Sequence, residues 1–107
     1  MEDFVKHTLL YDFYGELLTE RQKQIYESVV LEDQSLREAS EEFGISRQGV
    51  HDMIRRCNTI LDGYETKLHL VERFLTIKKE VSHIRSIAGA SGLQEIVDLT
   101  DTILDEL

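Results

Sequence analysis

An all-α fold follows from three features of the chain. Proline is absent from all 107 residues, so no residue in the sequence interrupts a helix by lacking its amide. Apolar residues recur at three- and four-residue spacings, the period of a helical face. Between those runs stand short signals that end and begin helices: a glycine, or a hydroxyl residue followed three places on by Glu or Gln. The length and the 41% hydrophobic content suit one compact domain, 1–107.

Phe4, Leu9, Leu10, Phe13, Tyr14, Leu17 and Leu18 share one face of a first helix. Thr19 and Gln22 have capping-box spacing, so a second helix starts there and carries Ile25, Tyr26, Val29 and Val30. The polar run Glu32, Asp33, Gln34 interrupts it, and Ser35 with Glu38 repeats the box. The third helix has Leu36, Ala39 and Phe43 on its apolar face, while small Ala39 and Ser40 let another helix approach closely. Gly44 supplies the left-handed residue that ends it, Ile45 plugs the corner, and Ser46 caps the fourth helix. There Val50, Met53 and Ile54 point to the core, leaving Arg47, Gln48, His51, Asp52 and Arg55 on other faces, with small Gly49 permitting close packing. A short helix, a glycine turn and a second helix that starts with polar residues make a helix-turn-helix over 19–57.

Such a unit presents its second helix to nucleic acid, which makes DNA the expected partner. The candidate contact residues are Ser46, Arg47, Gln48, His51, Asp52, Arg55 and Arg56. Arginine pairs bidentately with guanine and glutamine with adenine, so Arg47 and Gln48 are placed to read bases, and Arg55 and Arg56 to hold phosphate. The net charge of -9 argues the other way. By segment, however, residues 46–60 hold three arginines against Asp52 alone, so the reading helix is locally positive. A helical hairpin with a glycine turn also occurs in proteins that recognise other proteins, and protein recognition is the competing reading.

Val50, Ile54, Cys57, Leu61, Tyr64, Leu68, Val71 and Leu75 continue at alternating steps of four and three, the spacing of a coiled-coil seam, with Gly63 its weak point. A long helix would then follow the helix-turn-helix, with a C-terminal helical region completing 58–107, and Leu61, Tyr64, Leu68, Val71 and Leu75 would hold a homodimer. A second stripe, Leu70, Phe74, Ile77, Val81, Ile84 and Ala88, is rotated from the first. The alternative is that both stripes pack within the chain. Residues 89–92, GASG, form a break, and Leu93, Ile96, Val97, Ile103, Leu104 and Leu107 line a last amphipathic helix whose other face carries Glu95, Asp98, Asp101, Asp105 and Glu106. That acid reads as a solvated face, or else as a surface for a basic protein.

An enzyme is not expected. Glu80 and His83 have the i, i+3 spacing of carboxylate-bridged metal sites, but the further pair and glutamates of such a site are missing, and no phosphate-binding loop or nucleophile elbow is present. No metal and no cofactor are expected. Cys57 is the only cysteine and reads as a small buried hydrophobe. No apolar run is long enough to cross a bilayer and the N-terminus lacks a secretion signal, so the expectation is a cytoplasmic protein without membrane insertion.

The stretch from Leu18 to Cys57 resembles region 4 of bacterial sigma factors, where a similar helix-turn-helix reads promoter DNA. The segments FYGELLTERQ, SLREASEEFGISRQGVHD and YETKLHL, spread over nearly the full length, resemble the YlxM family of small helix-turn-helix proteins. Ser40 departs from the commoner alanine of the motif, at little cost if its hydroxyl bonds locally. The resemblance implies an all-helical fold and a regulatory role beside the signal recognition particle pathway. It also implies an alternative role, as a non-enzymatic adaptor that binds signal recognition particle protein or RNA without reading DNA.

Overall fold

A computed structural model of the chain describes residues 3–107, and these form helices and no strand. Six α-helices are present among them: α1 (Asp3–Tyr14), α2 (Glu20–Tyr26), α3 (Leu36–Phe43), α4 (Arg47–Leu68), α5 (Leu70–Ala90) and α6 (Gln94–Glu106). The chain divides into two compact units, Met1–His69 and Leu70–Leu107.

In the first unit the local signals do what their chemistry requires. Thr19 and Ser35 each accept a hydrogen bond from the amide three residues on, and the side chains of Gln22 and Glu38 accept from the Thr19 and Ser35 amides, completing both capping boxes. Gly44 closes α3 in the left-handed region at φ +68°. Its amide and that of Ile45 both donate to the Ser40 carbonyl, at 3.0 and 3.3 Å. The Ser40 hydroxyl donates to the Ile45 carbonyl, so the serine at this position is satisfied within the turn. Ser46 caps α4 by accepting from Gly49 N at 2.9 Å.

The helix-turn-helix core is Ile25, Ala39 and Val50, one residue each from α2, α3 and α4, all without solvent exposure. Val29, Phe43, Ile45, Met53 and Ile54 pack around them. Ala39 at this crossing allows the close approach of helices that a larger side chain would prevent. α2 does not end at Tyr26 but continues as a π-helical turn over Glu27–Leu31, and Asp33 then takes a positive φ of 57° before α3 begins.

α1 braces the opposite side through aromatic contacts. Tyr11 stacks on Tyr26 with ring centroids 5.4 Å apart, and Tyr14 stacks on Tyr64 at 5.9 Å. The Tyr14 hydroxyl donates to Glu65 and the buried Tyr26 hydroxyl to Asn58 at 2.7 Å, which satisfies phenols that burial would otherwise strand. The buried edge of α1 is accordingly Leu10 and Tyr14, with Leu18 just after it. Phe4, Phe13 and Leu17, expected on the same face, are exposed.

The expected long helix is also corrected. α4 passes straight through Gly63 and ends at His69, which takes φ +57° and donates its amide to the Glu65 carbonyl at 2.9 Å. One left-handed residue is enough to end a helix, and α5 starts at the next position. Of the expected seam, Leu61 is fully buried inside the first unit and Tyr64 lies against Tyr14, so both face this chain's own α1. Leu68 is exposed, while Val71 and Leu75 belong to α5.

The second unit is a helical hairpin. α5 and α6 are joined by a turn at Ser91–Gly92, where Gly92 has φ +72°. The break is therefore shorter than GASG, because Gly89 and Ala90 still belong to α5. Val81 and Ala88 of α5 and Val97 and Thr100 of α6 are buried, and Arg85 bonds Asp101 across the hairpin.

Candidate nucleic-acid interface

At 100° per residue, the buried residues Val50, Cys57 and Leu61 define the inner side of α4, and Gln48, Asp52, Arg55 and Thr59 lie opposite. Arg47 and His51 flank that outer face on one side and Arg56 on the other. All the expected contact residues, Ser46, Arg47, Gln48, His51, Asp52, Arg55 and Arg56, are exposed. They fall within the first three turns of one helix, as a reading helix requires. The turn at Gly44 and the capping serine fix where that helix starts. Arg21 adds a brace that its sequence position did not suggest: its guanidinium donates to the Phe43 carbonyl at 2.8 Å, tying α2 to the end of α3.

Electrostatics distinguish the residues on this face. No described carboxylate lies within ion-pairing reach of Arg47, Arg55 or Arg56, so all three guanidiniums keep their full complement of donors. The first turn of α4 contains no acidic residue, which leaves the positive end of the helix dipole uncompensated beside Arg47. Gln48 differs, because its amide donates to the Asp52 carboxylate at 2.9 Å. Asp52 also lies 3.9 Å from His51 Nδ1. The glutamine is thus held by its neighbour one turn on, and reading an adenine would mean exchanging that bond. Asp52 is the one negative charge on the face; it opposes phosphate and can accept from the amino group of cytosine.

The acidic residues of α3 are largely engaged. Glu38 closes its capping box, Glu41 pairs with Arg37 at 3.4 Å, and Glu42 accepts from Gln34 at 2.8 Å. Farther along α4, Thr59 and Ile60 join Asp52, Arg55 and Arg56 around a shallow open depression. Thr59 was not among the expected residues, although its position four after Arg55 places it on the same row. Its hydroxyl donates to the Arg55 carbonyl at 3.0 Å. Cys57 lies behind the face in the core, and burial pushes its thiol above the ordinary range. Among the described residues no group of three or more His, Cys, Asp or Glu gathers to hold a metal ion, and no helix is long and apolar enough to cross a membrane.

A trihelical core, a left-handed glycine turn and an exposed second helix define the class: this is an all-α helix-turn-helix protein. Its sequence matches, over residues 1–101, the family described as "UPF0122: Putative helix-turn-helix protein, YlxM / p13 like". The chain belongs to that family. A UPF0122 protein of Caldanaerobacter subterraneus subsp. tengcongensis is 48% identical over 84 residues, covering 78% of this chain and 72% of the relative. One from Symbiobacterium thermophilum is 41% identical over 101 residues (94% and 86%), and one from Shouchella clausii 36% over 104 residues (96% and 95%).

Proposed function

We propose that this protein is a non-catalytic, cytoplasmic regulator that binds nucleic acid, DNA foremost, through the outer face of α4. One observation carries the reading: three unpaired arginines project from the first three turns of a helix that a capped glycine turn holds rigidly in place. Arg47, nearest the helix start, reads a base, while Arg55 and Arg56 grip phosphate. His51 completes the face, and Gln48 contributes once released from Asp52. We further propose that this role belongs to the signal recognition particle pathway, the context that the sequence resemblance implies.

The test is selection of bound duplexes from a random library, followed by anisotropy titrations of the enriched sequence. Arg47→Ala is expected to weaken binding by about 1–3 kcal/mol and relax preference at one base position, with helicity unchanged. Equal affinity of the wild-type chain for every sequence would remove the base-reading role.

A second reading is favoured by the α6 surface, where five acidic residues stand without a basic one. In it the same chain is an adaptor that docks signal recognition particle protein on this acidic face, and binding of signal recognition particle RNA would instead fall to the arginines of α4. Competition separates the two: duplex DNA displaces the ligand in the first reading and leaves it bound in the second.

A further inference from the structure

The α5–α6 hairpin leaves a set of large apolar side chains exposed. Its inner side is narrow, built from Val81, Ala88, Val97 and Thr100. Ile77, Ile84 and Ile87 of α5 and Ile96, Leu99 and Ile103 of α6 remain 39–59% exposed. They are not scattered. On α5 the three isoleucines lie to one side of the Val81–Ala88 line, and Arg85 lies to the other. On α6 the three exposed residues lie to one side of the Val97–Leu104 line, and Asp101 lies to the other. Because Arg85 and Asp101 meet across the hairpin, both apolar sets fall on the face opposite that ion pair. The result is one mainly apolar face, interrupted on α5 by Glu80 between Ile77 and Ile84.

Its size is that of an interface. At on the order of 100 Å² for a half-exposed Leu or Ile, these six side chains alone present roughly 600 Å², against roughly 800 Å² per partner in a standard protein–protein contact. The unit Leu70–Leu107 is also shorter than the roughly 40 residues below which oligomerisation, a metal or a disulfide usually completes a fold.

The charges of the hairpin border this face more than they line it: Lys78 and Arg85 of α5 and Asp98, Asp101 and Asp105 of α6 lie on the ion-pair side. What fits a mainly apolar face of this size is a second copy of the same face turned about a two-fold axis. If that axis runs along the hairpin, α5 of each copy lies on α6 of the other, and every neighbouring pair of helices is antiparallel.

We propose that the α5–α6 hairpin is a homodimerisation module that packs its Ile77–Ile84–Ile87 and Ile96–Leu99–Ile103 face against the same face of a second chain to form a four-helix bundle. This goes beyond nucleic-acid binding and does not depend on it. It also differs from the seam expected from the sequence, two of whose residues, Leu61 and Tyr64, are taken up inside the first unit.

The test is the solution mass of the full chain by sedimentation and light scattering at about 50 µM. The wild-type chain is expected at twice its 12.4 kDa mass. Ile84→Lys combined with Leu99→Lys is expected at the single mass with its helical dichroism retained, since both positions are at least half exposed and leave the hairpin's inner side intact. Leu68→Lys is expected to remain dimeric. A monomeric wild-type chain overturns the proposal. So does a dimer that survives Ile84→Lys/Leu99→Lys, or one that Leu68→Lys breaks.

Discussion

Gly44 offers a clean measurement of what the helix-turn-helix turn requires. It sits at φ +68°, ψ 31°, and a Cβ built there would meet no other heavy atom within 4 Å. A substitution is therefore penalised by its own backbone, with no contribution from a clash. An L-residue held in the left-handed region costs about 1–2 kcal/mol, and a β-branched one falls toward the top of a range of about 1–3 kcal/mol. Gly44→Ala should thus cost about 1 kcal/mol and Gly44→Val about 2–3 kcal/mol, whereas Gly44→Asn, whose side chain tolerates this conformation, should cost least. In a unit of this size each kcal/mol lowers the melting temperature by about 4–8 °C, so the valine variant should melt roughly 10–20 °C early. Melting followed by far-ultraviolet dichroism ranks the three. Nucleic-acid affinity should fall in the same order, because the turn sets where α4 begins. A valine variant as stable as wild type would refute the reasoning, and so would an asparagine variant as damaged as the valine one, since that would make side-chain volume the cause.

Two further perturbations address the face and the core. Asp52→Asn removes the one negative charge among the contact residues and loosens its hold on Gln48, so affinity for arbitrary duplex should rise several-fold at low salt, with the gain shrinking as salt increases; unchanged or weaker binding in an anisotropy titration would contradict the placement of Asp52. Burial raises the Cys57 thiol and the Tyr26 and Tyr11 phenols, the last helped by its bond to Glu27, above their unfolded values. The unfolded chain then loses these protons first as pH rises, so stability is fully present below about pH 9 and declines above it; a melting temperature at about pH 10.5 no lower than at about pH 8 would contradict that sign.

What the sequence made legible was what depends on neighbours in the chain. A capping box closes within four residues and a left-handed glycine within one, so Thr19, Ser35, Gly44 and Ser46 could be assigned from spacing alone. What it hid depends on partners distant in sequence. The apolar positions of α1 outnumber the surface available to cover them, and the choice of Leu10 and Tyr14 over Phe4 and Phe13 is made by the stacks of Tyr11 on Tyr26 and Tyr14 on Tyr64. The end of α4 was hidden for a different reason. Leu68, Val71 and Leu75 keep the seam's spacing across His69, and a single histidine at positive φ leaves no mark in composition or period. The contact residues were legible as a set, because binary pattern alone puts them outside. The engagement of Gln48 by Asp52 follows from i, i+4 geometry but was not read from it.

The excess of acid over base bears on how tightly such a face can hold nucleic acid, and salt makes that measurable. Arg55 and Arg56 are the phosphate-holding cations on the face, so one chain neutralises about two phosphates, and log K should fall against log salt with a slope of about -2. The acidic residues of α3 change this little, since Glu38, Glu41 and Glu42 each bond a nearby donor and fields decay over about 8 Å at physiological salt. In the proposed dimer, two chains joined through their α5–α6 hairpins offer about four phosphate contacts to two half-sites, and the slope should steepen to about -4. Ile84→Lys/Leu99→Lys leaves α4 untouched, so in the dimer reading it should return the slope to about -2 and weaken binding together. A slope near zero for the wild-type chain would mean that no phosphates are neutralised, and the uncommitted arginines of α4 would then belong to an acidic protein surface rather than to nucleic acid.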